Sequence, residues 1–517
     1  MGGAPDRALT EPAPDEPVVV VDDRPLRVDD VVRVADGARL ELGPAARRLI
    51  DASRAVVDAL VDGEALIYGL NTGLGHERNL RLPAESLAAS QEHIVRLHDG
   101  GIGEPLPSRI VRAAMTVRVA GIARGGSGAS PGVADTYVGM LNAGIHPLVP
   151  SVGSVGASDL MHMAAIARAA MGEGEVEVGG VTRLAAEALG AAGLPTLQLA
   201  PKDGLSVISA NGVSIGHAAL VIDRASRLAD VADLVVAVSM EAIRGNPSIV
   251  EPAAAAAKPV PGQAIAADRI RRYLEGSQLC VRAESVQDPL SFRVSPQVHG
   301  AFRAVLDFAR QAVDGELAAS DDNPLVVIGE GRMVSNGNFH PMLMALAIDA
   351  LRPALAHVGQ LSDRRIGRLW DKVVADPASL DIESAPRLRR YGSPLVRYAA
   401  AARTAELRSL AGPATLDVGP LDLGVEDHAT AAPLAVVRTD AAIGLVEDVL
   451  AVELLVAALA IDWEPETRGR MAGPTRRVVE RLASTVESLG GDAPTSRVHA
   501  AVRERLLDSA DPLDGGA

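Results

Sequence analysis

The stretch Gly153-Ser-Val-Gly-Ala-Ser-Asp-Leu160 sets small and hydroxyl-bearing residues directly before an apolar helical run. A helix start offers unpaired N–H donors and the positive end of the helix dipole. Such a segment therefore suits an anion, or a group that turns negative during a reaction. It also describes an ordinary loop in which Ser158 or Asp159 caps the helix. Other residues able to do chemistry lie in Tyr68-Gly-Leu-Asn-Thr-Gly-Leu-Gly75, Ser209-Ala-Asn-Gly212, Val286-Gln-Asp-Pro-Leu-Ser-Phe-Arg293, Asp322-Asn-Pro324, Gly337-Asn-Phe-His340 and Glu426-Asp-His428. His93, His98 and His428 show no metal-ligand spacing, so no metal is assigned. Cys280 is the only cysteine, which excludes an internal disulfide framework and a Cys-rich zinc site.

Long helices must position these residues. Val18 to Val34 reads as an extended element followed by a helix start. Pro44 to Leu66 has helical apolar spacing at Ala46, Leu49, Ile50, Val56, Val57 and Leu60, broken by Gly69 to Gly75. Ser108 to Ala123 and Asp159 to Met171 read as helices, the second stopped by Gly172 and Gly174, and Gly179 to Gly193 reads as a short insertion or lid. Beyond Gly204 the pattern predicts Leu205 to Met240, Gln297 to Leu317, His340 to Arg368, Leu395 to Leu410 and Ala431 to Asp462 as long helices, interrupted at Asn246 to Gly262 and Val286 to Pro296. The expectation is a mainly all-α fold, a long central helix bundle with a smaller mixed N-terminal domain. Its divisions are a disordered arm over 1–17, an N-terminal domain over 18–203, the bundle over 204–480, and a C-terminal helix and tail over 481–517.

Composition narrows the function classes. Apolar residues are 48% and charged residues 22% of the 517, as in folded water-soluble chains. A net charge of −16 repels phosphate backbones and acidic lipids. Four Phe, five Tyr and two Trp are too few for base-stacking platforms, so nucleic acid is not an expected partner. The most apolar window, Val449 to Ile461, is broken by Glu453 and falls short of the ~20 residues a bilayer needs. With no basic, apolar leader in Met1 to Pro17, the expected location is cytoplasmic, with no membrane segment.

Taken in order, the motifs resemble the histidine and aromatic amino acid ammonia-lyase family from about Val18 to the C-terminal end. The resemblance implies a mainly helical homotetramer whose active sites draw on three subunits. It also implies a self-formed electrophile, 4-methylidene-imidazol-5-one (MIO), made when Ala-Ser-Gly cyclises and loses water, with no metal and no dissociable cofactor. The chemistry asks for these parts. An amine is a poor leaving group and a β-C–H is barely acidic, so an electrophile, a positioned base and donors for the carboxylate are needed together. By resemblance, Ala157 and Ser158 match the first two residues of the cyclising tripeptide and Tyr68 the catalytic base. Arg293 matches the arginine that forks onto the substrate carboxylate, Asn211 an asparagine that holds substrate and prosthetic group, Phe339 an aromatic beside that group, and Glu426 a carboxylate near the substrate's side chain or amine. Leu97 and His98 fall at the selectivity pair.

Three residues depart from the pattern. Asp159 stands where the tripeptide has glycine, and glycine bends most tightly. Leu290 replaces a tyrosine in Gln-Asp-Pro-Tyr, and Val425 replaces a glutamine before Glu426. His98 with Glu426 looks more like histidine lyases than phenylalanine lyases, although Leu97 replaces a small polar residue. The leading expectation is a carbon–nitrogen lyase, an ammonia-lyase or aminomutase acting on a small-molecule histidine-like or aromatic α-amino acid. Alternatives on the same scaffold are an MIO-independent acid/base enzyme built on Tyr68, Arg293 and Glu426, and a catalytically silent member.

Overall fold

A computed structural model describes residues 17–416, 418–490 and 493–508; the arm expected over 1–17, except Pro17, and the end of the tail lie outside the described residues. The chain divides into two compact units, one of residues 1–223, 310–346 and 414–436, the other of 224–309, 347–413 and 437–517.

The first unit is helical with small sheets. Val18–Val21 pairs in parallel with Arg39–Leu42, and the helix Val28–Ala35 makes the crossover. In the helix Ser108–Ala123 every residue from Ile110 onward is buried, so its arginines need internal partners. Arg112 donates to the carbonyls of Val34, Ala38 and Leu141. Arg118 forks onto Asp322 at 3.1 and 2.8 Å. The segment expected as a short insertion or lid, Gly179 to Gly193, holds the turn and second strand of a hairpin and a helix. The hairpin strands Glu175–Val178 and Val181–Leu184 turn on Gly179 and Gly180, both at positive φ, as tight hairpin turns require, and the helix Ala185–Ala191 follows.

The second unit is all helix among its described residues. Its core packs Leu234, Ala237, Met240, Ile270, Tyr273 and Phe292. Buried ions there are paired: Arg365 meets Glu453 at 2.6 and 2.9 Å, with Ser239 donating to the same carboxylate, and Asp233 accepts from His299 at 2.7 Å.

Most expected helices stand within a few residues: Pro44–Leu60, Leu160–Ala170, Ser295–Leu317, Met342–Val374, Val396–Leu410 and Ala432–Trp463. The single helix expected over Leu205 to Met240 is two, Asp203–Ile208 and Gly212–Ala242, because Ser209 to Asn211 leave the helix to make other bonds. By length and hydropathy, the stretches Asp203–Ala242 and Met342–Val374 could cross a bilayer, an outcome the reading of Val449 to Ile461 did not foresee. The apolar window of the first is wholly buried in the protein, that of the second half buried.

Candidate active site

The break at Ser209 to Asn211 explains how the first unit assembles a site. Asp159 N–H donates to Ala210 O at 2.7 Å. Asn211 N–H donates to Asp321 at 3.1 Å and its side-chain NH2 to Phe339 O at 2.9 Å, while Asn211 Oδ1 is buried with no hydrogen-bond partner. Asp159 precedes the helix Leu160–Ala170, yet its side chain does not cap that helix. Its buried carboxylate accepts from Ser214 N–H at 2.7 Å, Ser214 Oγ at 2.8 Å and Ser154 Oγ at 2.7 Å, so it caps a helix later in the chain, Gly212–Ala242.

The Ala157 to Asp159 segment is bent tightly. Gly156 has φ +86° and Ser158 φ +61°, the left-handed region that costs a residue with a Cβ about 1–2 kcal/mol. A Cβ on Gly156 would lie 2.2 Å from Thr430 Oγ1, so only glycine fits. Thr430 Oγ1 donates to Gly156 O at 2.7 Å, and Ala431 N–H to Val155 O at 2.9 Å. These bonds fasten the Glu426 segment to the bend.

Tyr68 sits on a loop stapled by its own polar residues: Asn71 bonds Ile67 N–H at 2.8 Å and Ala65 O at 2.9 Å. Gly75 N–H donates to the Tyr68 hydroxyl at 3.2 Å. His76 N–H and Nδ1 both meet the Asp422 carboxylate, at 2.9 and 2.7 Å, tying this loop to the segment of Glu426. A cleft of about 500 Å³ opens between them; Tyr68, Ala157, Phe339 and Glu426 line it, as do Arg78, His340 and His428. Burial raises the pKa of Tyr68, the Gly75 N–H opposes this, and the charges of Glu426 and Asp422 raise it further. Burial, then Asp422, raises that of Glu426. Burial and neighbouring His428 lower that of His340, whose ring lies 5.4 Å from the His428 ring.

Four of the eleven singled-out residues thus line one cleft, and Ser158, Asp159 and Asn211 are bonded just behind it. The other four do not line it. Leu97 and His98 end the helix Leu87–His98, where His98 Nδ1 meets Ile94 O at 2.7 Å and Leu97 is exposed. Leu290 and Arg293 belong to the second unit; Leu290 is exposed, and Arg293 donates to Gln287 at 2.6 Å. Arg78, His340 and His428 were not singled out, although His340 and His428 stand inside quoted motifs. Both lie outside helices and far apart in the chain, so neither imidazole signals the other until their rings are seen together.

Comparison with known proteins agrees with the family resemblance. The family described as aromatic amino acid lyase matches residues 26–484. The histidine ammonia-lyase of Gloeobacter violaceus is 36% identical over 497 residues, 95% of this chain and 96% of that one. Among solved structures, histidine ammonia-lyase from Trypanosoma cruzi superposes with a TM-score of 0.84 at 28% identity, covering 95% of this chain and 93% of that one. Ergothionase from Treponema denticola, an ergothioneine degrading enzyme, gives 0.87 at 25% identity, covering 96% of this chain and 100% of that chain.

Proposed function

The chain belongs to the aromatic amino acid lyase family, and on that premise we propose that it is a carbon–nitrogen lyase that eliminates ammonia from a histidine-like or aromatic α-amino acid. The observation that carries the reading is the cleft that Tyr68 and Glu426 line together with Ala157 of the bend and Phe339. Tyr68 would take the β-proton. Burial, Glu426 and Asp422 oppose its phenolate and Gly75 N–H and Arg78 support it, so a positively charged substrate amine in the cleft adds to that support. Phe339 and His340, with ring centroids 5.1 Å apart, give a flat side chain an aromatic wall.

Leu97, His98, Leu290 and Arg293 do not line this cleft, and the family resemblance supports their completing the site from neighbouring copies in a homotetramer. There Arg293 would fork onto the substrate carboxylate. The MIO that the resemblance implies does not fit residues 157–159 as they stand, because the nitrogens that it would strip of protons both donate hydrogen bonds. No step above runs through it.

The test is amine release from a panel containing histidine, phenylalanine and tyrosine, with the α,β-unsaturated acid followed by its absorbance. Release from none of them would refute the reading.

A further inference from the structure

We propose that Ala157-Ser158-Asp159 remains an open peptide in the working protein, and that the cleft acts on substrates whose amine already carries its positive charge, protonated or fully N-alkylated. This rests on the lyase reading above.

The first part follows from where the protons are. Closing the ring would bond Asp159 N to the Ala157 carbonyl carbon. Loss of the first water would remove the Ala157 oxygen together with the protons of Ser158 N and Asp159 N, and loss of the second would remove the Ser158 hydroxyl with its α-hydrogen. Both nitrogens are donors here. Asp159 N–H gives a 2.7 Å bond to Ala210 O, and Ser158 N–H a longer one, 3.4 Å, to Phe339 O. After closure, Ala210 O would face a nitrogen lone pair in a buried place, where an unpaired acceptor is costly, while Phe339 O would keep its bond from Asn211.

The Asn211 side chain points the same way. One N–H of its NH2 goes to Phe339 O, and the buried atom left without a partner is Oδ1, an acceptor. The imidazolone ring has no N–H to offer it. The Asp159 side chain is also tied down: its three bonds to Ser154 and Ser214 fix it as the cap of the helix Gly212–Ala242, not as a free hinge.

The second part follows from the first by leaving-group chemistry. Without an electrophile to take up the amine, the base removes the β-proton, the C–H pair becomes the C=C bond and the C–N pair leaves with nitrogen. A neutral amine would have to leave as an amide anion. A protonated amine leaves as ammonia and a trimethylammonium group as trimethylamine, with no co-reactant in either case. The charges around the cleft suit such a cation. Glu426, Asp427 and the nearby Asp422 outnumber Arg78, and burial beside His428 lowers the pKa of His340 and so favours its neutral form.

The test begins with intact mass and peptide mapping of the purified full-length chain. The expected result is the sequence mass, with residues 157–159 recovered as an ordinary peptide. A mass short by two waters mapped to those residues overturns the proposal and leaves the lyase reading standing. The same preparation is then given L-histidine and its Nα-trimethyl betaine, with ammonia and trimethylamine measured separately. Release of either amine by the unmodified chain supports the proposal and says which cation the cleft takes. An unmodified chain that releases neither amine refutes the substrate half.

Discussion

At the scale of single residues, the cleft sets Tyr68 a problem that its surroundings only partly solve. Burial, Glu426 and Asp422 disfavour the phenolate; Gly75 N–H and Arg78 favour it. If Tyr68 is the base, Tyr68→Phe should lower turnover about 10²–10⁴-fold, the usual worth of a positioned proton acceptor. The thermal midpoint should barely move, since one ring replaces another; equal turnover in parent and variant would remove Tyr68 from the reaction. The electrostatics also give a direction. Glu426 raises the Tyr68 pKa, so Glu426→Gln should lower it, and the rising limb of kcat/KM against pH should move to lower pH even though the maximum falls. A limb that stays in place, or moves to higher pH, would mean that Tyr68 does not titrate in it.

At the scale of elements, the site depends on a helix that stops and restarts. The helical spacing from Leu205 to Met240 is unbroken in apolar residues, and Ser-Ala-Asn-Gly is a mild interruption, so the sequence pattern reads one helix. The break is imposed from outside by Asp159, Asp321 and Phe339, which are distant in the chain. Helix existence was legible because it is periodic and local; this break was not, because tertiary bonds decide it. For the same reason the departure at Asp159 was visible in the sequence while its role as a cap for Gly212–Ala242 was not. Asp321 offers a test. Fully buried beside Asp322, it has its pKa raised to about 6 by burial and that like charge, despite Arg118 and the Asn211 N–H. A carboxyl whose folded pKa is raised contributes stability that is fully present below its unfolded value near 4 and is lost as pH rises through the folded value. Two pKa units correspond to roughly 3 kcal/mol. Asp321→Asn should therefore flatten the fall in thermal midpoint between about pH 4 and pH 7 relative to the parent. Parallel midpoint curves over that range would show that Asp321 does not hold its proton in the fold.

At the scale of the whole molecule, the helix Met342–Val374 asks what covers it. Its most apolar window is only half buried within the chain, and Leu343 and Leu346, one turn apart on one face, are 58% and 48% exposed. Leu395, just before the helix Val396–Leu410, and Tyr398 within it are also three residues apart and exposed. Neighbouring exposed apolar side chains of this kind mark an association surface, and closed symmetric assemblies are the commonest way to bury one. A bilayer is the competing cover that length and hydropathy allow. The net charge of −16 opposes an acidic lipid surface, and the roles proposed for Leu97, His98 and Arg293, which do not line the cleft, call for a neighbouring copy. Both considerations favour copies of the same chain. Light scattering without detergent should therefore give four times the 53.4 kDa of one chain. Leu343→Glu combined with Leu346→Glu should shift that mass downward, and amine release should fall in proportion to the tetramer remaining. Circular dichroism should be unchanged, because neither side chain is in the core. A parent protein that is monomeric and fully active would disprove the shared site, and one that partitions into neutral vesicles would give the helix to the membrane.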